Sequence, residues 1–170
     1  MGQIAKCTDT VLDLYAGIGY FTLSFLVHAN VRFVYCCEIN PNSIESLRRN
    51  MVLNKIDASR YKIFEGDNAK TTADLINRVD RVNLGLLPSS ELGWDPAIRA
   101  LKVDGGTMHI HHNVHVDHQQ SFLDHMKGRL EGIIMKYEDK KHWTVNIVHC
   151  EHVKWYAPKI SHMVVDVELS

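Results

Sequence analysis

The sequence is poor in the residues that announce a specialised protein. Only four of its 170 residues are cysteine: Cys7, Cys36, Cys37 and Cys150. They form no CxxC pair and no framework spacing, which argues against a disulfide scaffold. Reduced thiols in an intracellular, cytoplasmic setting are expected instead. Charge of one sign is also lacking. The formal net charge is −1 and the pI about 6.8, so no global basic field points to nucleic acid. No apolar run reaches the roughly 18 residues a membrane-spanning helix needs, and no signal-peptide pattern opens the chain. Repeats and low-complexity segments are absent. What remains is 45% hydrophobic, enough for one domain with a sizeable core over 1–170. Met1-Gly2 resembles an expression start and lies very close to the first apolar run, so a fragment of a longer protein is expected.

The chain is organised around VLDLYAGIGYF, Val11 to Phe21. Val11 to Leu14 reads as the end of a buried strand, Ala16-Gly17-Ile18-Gly19 as a tight turn, and Tyr20 to Ala29 as an apolar helix. Glycines allow close backbone approach, and a helix start offers free N–H groups. A diphosphate site usually carries GxGxxG without an acid at the position of Asp13. A carboxylate there would repel diphosphate but suits a sulfonium and an ammonium, as in S-adenosylmethionine. The plain alternative is an ordinary glycine-rich turn.

Strand and helix patterns alternate along the rest of the chain. Strands are expected at Arg32–Glu38, Tyr61–Glu65, Val79–Leu84 and Thr107–Val114. Helices are expected at Pro41–Asn54, Ala69–Asn77, Glu91–Leu101 and Asp117–Leu130, the last capped near Asp117. Trp143–Trp155 and Ser161–Glu168, joined at Tyr156 to Lys159, read as an antiparallel pair. The expectation is an α/β, Rossmann-like fold with a seven-stranded, mostly parallel sheet.

In such a sheet, ligands sit at the carboxyl ends of the strands. Glu38 ends the second strand about 20 residues past the glycine turn, where a carboxylate accepts from both hydroxyls of a ribose. Ile39 would lie against the adenine, and Asp67, next to Asn68, would accept from its amino group. The alternatives are a solvated helix start for Glu38 and a turn role for Asp67. Asn83 to Ser90 follows the fourth strand, where the reacting group lies in Rossmann-like transferases. It also reads as a plain connection with Ser90 as N-cap. Trp94 could stack on a base, but a helical Trp is more often core.

VLDLYAGIGYFTL, YCCEINPNSIESLRRN, VNLGLLPSS, GGTMHIHHNV and VKWYAPKISHMVVDVEL together resemble the tRNA wybutosine-synthesizing protein 2 family, relatives of a tRNA guanine-N1 methyltransferase acting beside the anticodon. The resemblance runs from about Thr10 to Leu169. Its discriminating stretch is NLGLLPSS: the methyltransferase relative is expected to carry Asn-Leu-Pro, whereas here Gly85 follows Leu84 and proline comes at Pro88. The resemblance implies the class I methyltransferase fold, S-adenosylmethionine, and transfer of its 3-amino-3-carboxypropyl group to 4-demethylwyosine in phenylalanine tRNA. Asp13, Asn83 and Pro88 would then be catalytic. Asp13 and the loop from Tyr15 through Ala16 to Gly17 would hold the methionine arm, and Gly19, Phe21, Asn40 and Asn68 would complete the cofactor contacts. Glu91, His111 or solvent would take the ring proton. The family's N-terminal region, which helps bind tRNA, lies outside this chain, so weak binding of the anticodon loop is expected.

The count of 11 histidines is high, and His109, His111, His112, His115 and His118 cluster near the fifth strand. His109-x-His111 shares a strand face and could pair on a metal. No Cys or carboxylate stands at zinc-like spacing, however, and the implied chemistry needs no metal, so none is expected. Rival functions are a tRNA methyltransferase of the same fold and a non-catalytic cofactor-binding or RNA-assembly module. A nicotinamide oxidoreductase is disfavoured by Asp13.

Overall fold

Five short runs pair in parallel: β1 (Thr10–Asp13), β2 (Phe33–Glu38), β3 (Tyr61–Glu65), β4 (Arg81–Leu84) and β5 (Gly106–His115). β6 (Val145–Ala157) and β7 (Ile160–Leu169) run antiparallel, giving the order β3-β2-β1-β4-β5-β7-β6. The computed structural model describes residues 5–170, so Met1-Gly2 lies outside the described residues. The seven strands and the antiparallel pair are those expected from the sequence pattern. The chain moves outward from β1 to β3, then returns to place β4 on the other side of β1. Ligands bind at the carboxyl end of such a reversal.

Alternation along the strands divides the core. Leu12, Val82, Leu84, Met108 and Ile110 face one side of the sheet, with Trp94 and Leu130. Val11, Val34 and Cys36 face the other, against Leu26, Leu47 and Met51. α2 (Pro41–Leu53) buries Ile44, Leu47 and Met51 at helical spacing and starts on an Asn40 cap that accepts from Asn42 N at 3.0 Å.

Several element bounds differ from the sequence reading. The helix expected from Tyr20 is α1 (Tyr20–Leu23) followed by a π-turn (Ser24–His28), where the Ser24 hydroxyl donates back to the Tyr20 carbonyl. α3 shrinks to Asn68–Thr71: Thr72 Oγ1 donates back to the Asn68 carbonyl, and Asn77 takes a φ of 54°. β4 begins at Arg81 because Val79 makes only an isolated bridge to Leu101. The helix expected from Glu91 opens as a 3₁₀ turn (Glu91–Gly93) before α4 (Trp94–Ala100), since Pro96 has no N–H for an i−4 bond. α5 (Gln119–Ile134) continues past Leu130 because Ile133 and Ile134 are buried. Its lead-in turn is capped by His115, whose ring accepts from Asp117 N, and not by Asp117.

Candidate cofactor cleft and transfer site

The turn after β1 is closed by one carboxylate. Glu38 Oε2 accepts from Gly17 N at 2.8 Å, while Oε1 accepts from Ile39 N at 2.9 Å and Asn40 N at 2.8 Å. Three of roughly four lone-pair sites are therefore engaged. One acceptor direction remains for a ligand hydroxyl, where the sequence reading expected two. Gly17 has a φ of 55°, and a Cβ built there meets nothing within 4 Å, so the backbone faces open space.

A cleft of about 380 Å³ opens beside this turn, at the carboxyl ends of β1, β2 and β3. The sequence-selected residues Tyr15, Glu38, Ile39, Asp67 and Asn68 line it. Asp67 Oδ1 caps α3 through Ala69 N, and Asn68 Nδ2 donates to the Leu14 carbonyl. Leu86, inside the Asn83-to-Ser90 loop, also lines the cleft, as does Leu92, which the sequence reading missed. Leu92 is 90% exposed and falls off the buried Trp94, Ile98 and Leu101 stripe, which was its one available signal.

Asp13, Ala16, Gly17, Gly19, Phe21, Asn40, Asn83 and Pro88 are not among the lining residues. Ala16 is buried, with its N–H on the Cys37 carbonyl and its carbonyl on Gly19 N. Asp13 is placed differently from the expectation of a carboxylate beside the cofactor. It is fully buried; Oδ2 accepts from Thr22 Oγ1 at 2.7 Å and Oδ1 from Asn83 Nδ2 at 3.0 Å. Register explains the second bond: Asp13 pairs with Asn83 across β1 and β4, so both side chains share a face. Burial pushes the Asp13 carboxyl up, against the bonds from Asn83 and Thr22. Asp13 thus meets Asn83 and Thr22 inside the fold and not the open cleft.

The Asn83-to-Ser90 loop is pinned to the end of β5. Asn113 N donates to the Pro88 carbonyl, Ser89 bridges His112, and Ser90 Oγ donates to the His111 carbonyl. Ser90 makes no helix cap; Ser89 Oγ accepts from Glu91 N instead. Gly85 leaves room for Phe21: a Cβ there would lie 3.2 Å from both Asn83 Nδ2 and the Phe21 ring. Pro88 is exposed at the loop's outer edge. Trp94 is fully buried, the core alternative.

Glu91 Oε1 is held by Arg129 at 2.9 Å. His109 accepts from Arg81 on Nε2 and so donates from Nδ1 to Asp166, at 2.6 Å. His111 Nδ1 lies 3.1 Å from His162 Nε2, with the Phe21 ring edge-on at 4.9 Å. Burial, then His162 and His109, push the His111 pKa down to about 4. An unfolded histidine titrates near 6.5, so acid favours the unfolded chain. Stability present above pH 6.5 should fall by up to about 3 kcal/mol as pH drops to 4. Urea unfolding at several pH values measures it, and His111→Phe should flatten the slope. An unchanged slope in that variant would remove His111 as the cause.

The strand order, the glycine turn after β1 and the acid ending β2 define a Rossmann-like domain of the class I methyltransferase fold. Residues 1–143 match the family described as the TRM5/TYW2 methyltransferase domain. "tRNA wybutosine-synthesizing protein 2/3/4" of Oryza sativa subsp. japonica is 47% identical over 168 residues, covering 99% of this chain and 16% of that protein. "tRNA wybutosine-synthesizing protein 2 homolog" of Danio rerio is 42% identical, covering 94% of this chain and 46% of that protein. Among solved structures, M. jannaschii TYW2 in complex with AdoMet superposes with a TM-score of 0.83 at 28% identity, covering 98% of this chain and 71% of that one. The chain belongs to the TRM5/TYW2 methyltransferase domain family. It spans less than half the length of these curated relatives.

Proposed function

We propose that this chain is the catalytic part of a tRNA-modifying transferase of wybutosine biosynthesis. It would use S-adenosylmethionine to place a 3-amino-3-carboxypropyl group on 4-demethylwyosine beside the anticodon of phenylalanine tRNA. The carrying observation is Glu38 closing the open Gly17 turn at the head of the cleft, in a chain 42% identical to the zebrafish relative. The donor set fits the cofactor. Glu38 keeps an acceptor for a ribose hydroxyl, exposed Ile39 offers an apolar wall for adenine, and Asp67 keeps Oδ2 for the amino group. A cytoplasmic setting agrees with four unpaired cysteines.

Bound there, S-adenosylmethionine would supply the aminocarboxypropyl carbon to a ring carbon of the base, with methylthioadenosine as the leaving group taking the electron pair of the broken carbon–sulfur bond and the ring carbon giving up its proton. The protein selects among the three sulfonium carbons by position, a lever of several kcal/mol. The backbone of Tyr15 to Gly17 would hold the methionine arm. Asn83, fixed by Asp13, and the loop to Pro88 would orient the base. Glu91 is engaged by Arg129, and His111 is buried against His162, outside the cleft lining and too weak a base at about 4, so solvent would take the ring proton.

Incubation with phenylalanine tRNA carrying 4-demethylwyosine should release methylthioadenosine, resolved by chromatography. Accumulation of S-adenosylhomocysteine alone would make the protein a methyltransferase.

A further inference from the structure

The far end of the β6–β7 hairpin is left uncovered at the reaction end of the sheet. Residues 150–156 are all exposed, with Trp155 at 62% and Tyr156 at 59%. Pairing fixes where this end lies. Leu84, the last residue of β4, pairs with Ile110, but β5 runs on to His115, which pairs with Ile160 at the start of β7. Five further residues at 3.3 Å each carry the tip about 16 Å beyond β4. Three strand spacings place β6 about 14 Å to the side. Val116 N donates to the Lys159 carbonyl, which ties the tip to β5.

The tip carries two lysines and one carboxylate, Glu151. Lys154 and Lys159 have no carboxylate partner among the described residues, while Glu151 is held by His149 at 3.0 Å. His152 stacks obliquely on Trp155 at 4.8 Å. One cross-strand row carries Asn113, His162 and Lys154 on one face of the hairpin, while Trp155, paired with Ser161, stands on the other, so a strand meeting both crosses the open β6 edge. Both side-chain polar atoms of Asn113, and His162 Nδ1, are shielded from water with no partner among the described residues. Orphaned groups of this kind call for a polar partner. β6 also shows register shifts at Ile147/His149, His152/Lys154 and Trp155/Ala157. Such bulges, with Lys154 on the edge, block pairing with another strand.

We infer that the hairpin tip is a docking platform for single-stranded RNA, on which a nucleotide neighbouring the reacting base stacks against Trp155 or Tyr156 while Lys154 and Lys159 meet phosphates. Aromatic faces flanked by cations suit unpaired bases, which offer a π-face and a charged backbone. The inference rests on the proposed tRNA-modifying function and adds a surface outside the cleft.

Trp155 provides its own probe, because Trp94 and Trp143 are buried. The chain is titrated at low salt with the anticodon stem-loop of phenylalanine tRNA, following acrylamide quenching of tryptophan fluorescence. The expected result is at least a threefold fall in the quenching constant. Trp155→Ala should weaken RNA binding about tenfold, while its S-adenosylmethionine titration stays that of the wild type. Lys154→Ala with Lys159→Ala should make binding less salt-dependent. The inference is overturned if RNA binds and leaves Trp155 equally quenchable, if no RNA binds, if a blunt duplex protects equally, or if protection appears with protein concentration alone. Unchanged cofactor binding in those cases would leave the proposed function standing.

Discussion

Replacing Glu38 with alanine is expected to weaken S-adenosylmethionine binding by about 1.5–3 kcal/mol, the scale of hydrogen bonds to a charged group. Titration calorimetry on the isolated chain measures it. Two effects add. The ligand loses the remaining acceptor on Oε2, and Gly17 N loses the bond that shapes the turn. Ile39 N and Asn40 N lose their partner as well, which loosens the entry to α2. Glu38→Gln keeps one carbonyl oxygen without the charge, so its loss should be smaller. An alanine variant that binds like the wild type would reduce Glu38 to a solvated helix start. No detectable binding by the wild type at millimolar cofactor would end the cofactor reading itself.

Asp13→Ala is expected to lower turnover about a hundredfold, the cost of misplacing a group by roughly 1 Å. It should also make unfolding easier by about 2–4 kcal/mol. The alanine leaves Thr22 Oγ1 and Asn83 Nδ2 buried without their acceptor, and each orphaned group costs about 1–3 kcal/mol. Relief of the buried carboxylate offsets part of that loss. Asp13→Asn separates position from charge. Its carbonyl can still accept from Asn83, and Thr22 can turn its hydroxyl to accept from the new amide. It should therefore keep stability within about 1 kcal/mol and most of the turnover. If Asp13→Asn loses as much turnover as Asp13→Ala while staying folded, the charge itself holds the cationic arm, and the positioning role is wrong. Chemical denaturation and initial rates on the same preparations decide between the two.

The fold was legible because its signals are local. Buried strands announce themselves as short apolar runs, α2 by its Ile44, Leu47 and Met51 spacing, and the turn by glycines at Gly17 and Gly19. Residues within a few positions of one another settle each of these. Glu38 and Asp67 were found the same way, since a strand's last residues must face its carboxyl end. Element ends were less legible, because Thr72, Ser24 and His115 chose backbone partners that compete with regular structure.

By itself the sequence determined the sheet, the glycine turn, the acids at the strand ends and the family to which the chain belongs. Only the tertiary structure decided which partners those acids meet. Asp13 meets Asn83 from 70 residues away, because parallel register aligns them. Glu38 meets Gly17 N from 21 residues away, and that contact spends an acceptor the ligand was expected to use. Leu92 enters the cleft, and Trp155 stands clear of the core, for the same reason. Spacing along the chain sets which face a side chain takes, but hydrogen-bond partners and solvent are allotted by register and packing between strands distant in sequence.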